Sequence, residues 1–144
     1  MGWGQLKLSA GLLAGLALAA CATAPAEAPV QPLALCQTMV AGDSDLAERL
    51  DRNGADMDDF CACFLTVEAG LDAETRADTY TLMRKVIEMR EGTDRTVEDV
   101  AELLEDDRDG SLYGITEERM KRGAQPVEDS LTKARRDLAS CRVS

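Results

Sequence analysis

Cysteine is the residue type here with the most chemistry to offer: the chain has Cys21, Cys36, Cys61, Cys63 and Cys141, and no histidine. The missing histidine removes the usual general base, the commonest zinc ligand and the frequent axial haem ligand. The Cys61–Ala62–Cys63 pair leaves three chemistries open: structural disulfides, thiol redox exchange, and thiolate binding of Cu(I) or zinc with Cys36. Local geometry weighs on the choice. Residues from Met57 to Leu71 carry Met57, Phe60, Phe64, Val67 and Leu71 at helical spacing. On a helix of about 100° per residue that stripe centres near about 25° when Phe60 is taken as zero. Cys61 then falls at about 100° and Cys63 at about −60°, one on each flank. Side chains about 160° apart on one helix do not bond to each other, so each must face a different neighbour.

The amino-terminal residues assign the fifth thiol. One lysine, Lys7, precedes an apolar or small-residue run from Leu8 to Ala20. About thirteen residues are too few to span a bilayer as a helix, which takes about 20, but they suit the apolar core of a secretion signal. Leu18-Ala19-Ala20-Cys21 then resembles the lipobox of bacterial lipoproteins. The resemblance covers residues 1–21 alone and implies cleavage before Cys21, with acyl chains on its sulfur and on its new amino group. A lipid bilayer is then the first expected partner. Ala22 stands where some lipoproteins carry an inner-membrane retention aspartate, so the resemblance implies the periplasmic face of the outer membrane. Residues 21–32 form a tether: Pro25, Pro29 and Pro32 among small residues favour an extended chain of about 3 Å per residue.

With Cys21 lipidated, an even set remains: Cys36, Cys61, Cys63 and Cys141. In an exported domain an even count points to two disulfides. One of Cys61 and Cys63 should reach Cys36 and the other Cys141, making the third helix a central strut. Two pairings stay open, 36–61 with 63–141 or 36–63 with 61–141. The redox and metal readings leave Cys141 without a role, and Asp58 and Asp59 beside the pair would raise a thiol pKa rather than lower it.

Residues 33–144 must position these thiols, and they read as an all-α domain of five or six helices. The expected helices are Leu33 to Ala41; Ser44, as N-cap, to Gly54; Asp56 to about Leu71; Asp72 to Arg90; Thr96 to Asp106; and a last one around Met120 to Cys141. The fourth should bury Ala73, Ala77, Tyr80, Met83 and Ile87. The last carries Met120, Ala124, Val127, Leu131, Ala134, Leu138 and Cys141 in a narrow seam. Pro126 either kinks this helix or begins a new one.

The whole chain carries a net charge of −11, and only Lys7 precedes Cys21. An acidic surface of this kind repels nucleic acid, so no nucleic-acid partner is expected. Arg119, Lys121, Arg122, Lys133, Arg135 and Arg136 make the last helix basic, and packing it on the acidic helices would relieve self-repulsion.

One acidic run invites a calcium reading. Glu105, Asp107, Asp109 and Gly110 are similar to the opening of a calcium loop, with Leu112 at its apolar position. The closing glutamate is absent: Thr116 stands in its place and Glu117 comes one residue late. No glycine-rich phosphate loop or zinc spacing is present. No cofactor and no enzymatic activity are expected. The sequence reads as a lipid-anchored periplasmic domain working by contact with an envelope protein or as a structural envelope component. The alternative is a small thiol-redox or metal-binding module using Cys61 and Cys63, or a calcium module using the 105–110 loop.

Overall fold

A computed structural model describes residues 29–142. They fold into six helices and a closing 3-10 turn: α1 Pro32–Val40, α2 Ser44–Asp51, α3 Met57–Glu68, α4 Ala73–Arg90, α5 Val97–Asp106 and α6 Glu117–Arg136, followed by Leu138–Ser140. No strand forms among the described residues. The leader, Cys21 and most of the tether lie outside them.

Each helix start has a chemical cause. Pro32 opens α1, where its missing N–H costs nothing. Asp43 caps α2 through the Leu46 amide at 2.9 Å, one residue before the expected Ser44. A carboxylate is the stronger acceptor for an orphan N–H, so Ser44 becomes the first helical residue. Asp56 and Thr96 form capping boxes with Asp59 and Asp99, and Asp72 caps α4 through Thr75. Gly42, at φ +70°, reverses the chain between α1 and α2, a conformation open chiefly to glycine.

The helices α1 and α6 each pack against both α3 and α4, while α5 lies on α4 and α2 on α3. Phe60 and Phe64 on α3, Leu50 on α2, Met83 on α4 and Leu104 on α5 are the largest side chains fully withdrawn from water. Each contributes about 1.5–3 kcal/mol of burial. Among the described residues the buried core side chains run from Cys36 to Cys141.

Two expected faces are turned in the structure. On α4, Ala73 and Ala77 are exposed, Tyr80 and Ile87 are half-buried, and Asp78, Thr79, Leu82, Met83 and Val86 are buried. A carboxylate at the centre of this face defeats a reading based on hydropathy, because two arginines from α6 neutralise it there. On α6, the most buried residues are Met120, Gly123, Pro126, Ser130 and Ala134. The expected seam residues Ala124, Val127, Leu131 and Leu138 are only half-buried. Small side chains on the buried edge let the α6 backbone approach α4 closely, and close backbone approach displaces the bulkier seam sideways. Pro126 does not start a new helix: α6 runs unbroken through it. It leaves the Arg122 carbonyl without its usual amide partner, and Ser130 Oγ donates to the Pro126 carbonyl at 2.6 Å.

Candidate functional site

The four remaining cysteines are paired as Cys36–Cys61 and Cys63–Cys141, with Cα separations of 5.7 and 4.6 Å. This is one of the two expected pairings. All four are buried. Cys61 turns toward α1 and Cys63 toward the chain's end, so α3 is tied on both flanks as its helical spacing requires. The second bridge is backed by an ion pair: Arg142 meets Asp59 at 3.0 Å. Side by side in sequence, the CxC thiols are two separate bonds to two separate elements.

The acidic loop is organised around Asp107, which is only 5% exposed. Its carboxylate accepts the amides of Leu112 at 3.0 Å and Tyr113 at 2.8 Å, and the Ser111 hydroxyl at 3.3 Å. Asp109 accepts the Ser111 amide at 3.0 Å, and hydrogen bonding from the Ser111 side chain first, and its backbone second, holds its carboxyl below the usual range. Thr116 is the N-cap residue of α6, and Glu117 pairs with Lys121. The carboxylates at 107 and 109 are thus directed at the loop's own backbone. Glu105 points elsewhere, to the mouth of a cleft between α2, α5 and α6.

Sequence reasoning passed over a third cluster. Asp78 on α4 receives Arg119 Nε on one carboxylate oxygen at 2.8 Å and Arg122 Nε on the other at 2.7 Å. Arg122 also reaches Glu74 at 2.9 Å. Burial pushes the Asp78 carboxyl up, but the two arginine hydrogen bonds, with their charges, outweigh it and hold the group below its ordinary value. The signal available in the sequence was the excess of basic residues in the last helix. It could suggest packing on the acidic helices, but not that a carboxylate would be enclosed or which one.

This clamp joins α4 to α6. Asp78→Asn is expected to lower stability by about 1–2 kcal/mol at neutral pH, since Arg119 is exposed enough for water to screen part of the pairing. A depressed carboxyl contributes stability above its unfolded value, near 3.8, and loses it as pH falls through the folded value. The gap between wild type and Asp78→Asn should therefore be full at pH 5 and close on acidification toward pH 2. Urea melts across that range check this, and a gap that stays constant counts against the clamp.

A smaller cluster fixes the α3–α4 turn. The Tyr80 hydroxyl donates to Glu68 at 2.6 Å, and burial together with that carboxylate raises its pKa to about 12. Arg76 meets Glu68 at 2.7 Å off the Nε–H axis, an ion pair rather than a hydrogen bond. Its terminal nitrogen donates to the carbonyls of Glu68 and Leu71, capping the end of α3.

In these clusters Asp78, Glu68, Asp107 and Asp109 are each engaged by arginines, hydroxyls or backbone amides. What the arrangement does chemically is hold helices together. No protein family's profile, no curated protein and no solved structure matches the chain.

Proposed function

We propose that the protein is a bacterial lipoprotein anchored through acyl chains on Cys21 to the periplasmic face of the outer membrane. It acts there by contact with an envelope protein or as a structural envelope component. The observation that carries this reading is the pair of buried disulfides in a domain preceded by Leu18-Ala19-Ala20-Cys21. Bridges of this kind form and persist in oxidising compartments. They also suit a domain of this size, which gains much of its stability from covalent staples.

Among the described residues no helix is long and apolar enough to cross a membrane. The proline-rich tether allows the domain to stand about 30 Å from the lipidated residue. Two or three acyl chains, at about 0.8 kcal/mol per buried CH₂, make detachment negligible.

Cys21→Ser is the direct test. Wild type should sediment with membranes and carry a mass increment of acyl chains on a chain beginning at residue 21. The variant should lose that increment and the cleavage before residue 21. Recovery of wild type with its leader intact and all five sulfurs reduced would sink the proposal.

A further inference from the structure

The cleft bounded by α2, α5 and α6 has no part in the reading above. Its cavity is about 350 Å³, within the range of small-molecule sites. Phe60, Met83 and Leu104 form its floor, and Ala101, Ala124 and Val127 stand in its walls. The two alanines leave room where larger side chains would close the gap. Such a lining offers hydrocarbon contact and almost no hydrogen bonding, so the body of an occupant must be apolar.

The unpaired charges at the mouth are of one sign. Asp45 on α2, Glu105 on α5 and Glu128 on α6 stand around it, exposed and without an ion-pair partner among the described residues. The neighbouring Arg49 and Glu98 neutralise each other at 3.0 Å. Asp43 is committed to the amides of Leu46 and Val97. Three carboxylates on three different helices, facing one apolar opening, are complementary to a single cation held at its rim.

We infer that this cleft binds a cationic amphiphile: a small molecule with one unbranched hydrocarbon body and one ammonium group seated among Asp45, Glu105 and Glu128. The cavity lies at the small end of the range for ligand sites, which suits a short hydrocarbon body, and a decyl chain serves as the probe. Fatty carboxylates and phosphate-headed lipids have the wrong sign for the mouth.

The test uses the non-lipidated domain from residue 22 onward, titrated below micellar concentrations with decyltrimethylammonium and with decanoate. Calorimetry and amide chemical shifts report binding. The ammonium should bind saturably at one site, with shifts on α2, α5 and α6, and decanoate should bind at least tenfold more weakly. Ala124→Phe fills the cavity and should weaken ammonium binding at least tenfold; if that variant loses its helical circular dichroism, Ala101→Leu takes its place. Glu105→Gln combined with Glu128→Gln should cut the preference for ammonium to about threefold or less. Absence of saturable ammonium binding overturns the inference. So do equal or tighter binding of decanoate, and undiminished binding by a folded cavity-filling variant. None of these readouts depends on lipid at Cys21, so failure here leaves the proposed anchoring untouched.

Discussion

Removing the Cys63–Cys141 bridge with paired alanines is expected to lower the unfolding free energy by about 4–5 kcal/mol. The bond closes a 78-residue separation, and a loop of that length in the unfolded chain carries about 4.5 kcal/mol of closure entropy. Alanine avoids leaving a hydroxyl at positions that are 0% and 2% exposed. The same exchange at Cys36 and Cys61, separated by 25 residues, should cost about 3.5 kcal/mol. Against a total of about 5–15 kcal/mol for a domain, either loss is large, and loss of both bridges should leave the native state a minor population.

The ordering of the two variants is informative. Both bridges are buried, so a packing effect alone would make their losses similar, whereas chain entropy makes the longer loop the more costly. Urea denaturation of the oxidised domain measures both. A loss below about 1 kcal/mol for the long bridge, or a reversed order, would show that the bridges do not act by restricting the unfolded chain. In each paired variant the surviving bridge should remain closed, read as the absence of alkylation by a thiol reagent in denaturant.

Gly123→Ala should destabilise the domain by about 2–4 kcal/mol, although alanine is the better helix former by about 1 kcal/mol. Gly123 lies inside α6, where propensity alone favours the exchange. A Cβ there would stand 2.7 Å from the Asp78 carbonyl oxygen, 3.0 Å from its carbonyl carbon and 3.3 Å from Leu82 Cβ. The first two are backbone atoms of α4 and have no rotamer to escape into. The helices must separate, and the hydrogen bonds of Arg119 and Arg122 to Asp78 weaken as they do. Thermal melting should show a fall in Tm of about 10 °C or more. Gly70→Ala is the control: its added Cβ meets only the Val67 carbonyl oxygen at 3.6 Å, so its effect should stay within about 0.5 kcal/mol. A neutral or stabilising Gly123→Ala would mean that α6 does not approach α4 so closely.

The glycine and the clamp belong to one contact. Gly123 packs on the backbone of the residue whose side chain takes Arg119 and Arg122, so the smallest residue of α6 directly follows one of its neutralising arginines and lies one turn on from the other. Close approach brings the arginines within reach, and the arginines make a buried carboxylate tolerable. The two should therefore couple: Gly123→Ala combined with Asp78→Asn should cost less than the sum of the single losses.

Helix existence and type could be read from local signals because those signals act within a few residues. Asp56, Asp72 and Thr96 cap as their positions suggest, and the α3 stripe brings Phe60 and Phe64 inside with a cysteine on each flank. Faces were harder. Ala73 and Ala77 looked suited to the interior of α4, yet the buried face contains Asp78 and Thr79, because charge neutralisation arrives from a helix some forty residues later. The acidic loop shows the same limit: Asp107 reads as a ligand on paper and is turned inward by the amides of Leu112 and Tyr113.

The amino-acid order by itself determined that the domain is helical, that Cys61 and Cys63 face different neighbours, and that a basic last helix follows acidic ones. Helical periodicity and formal charge are properties of the covalent chain, independent of what packs where. Only the tertiary structure decided that Cys36 goes to Cys61 and Cys63 to Cys141, that α6 continues through Pro126, and that Asp78 is the carboxylate enclosed. These depend on how closely two helices approach and on which face each presents. Such distances are set by the packing of many residues far apart in sequence, and no local pattern encodes them.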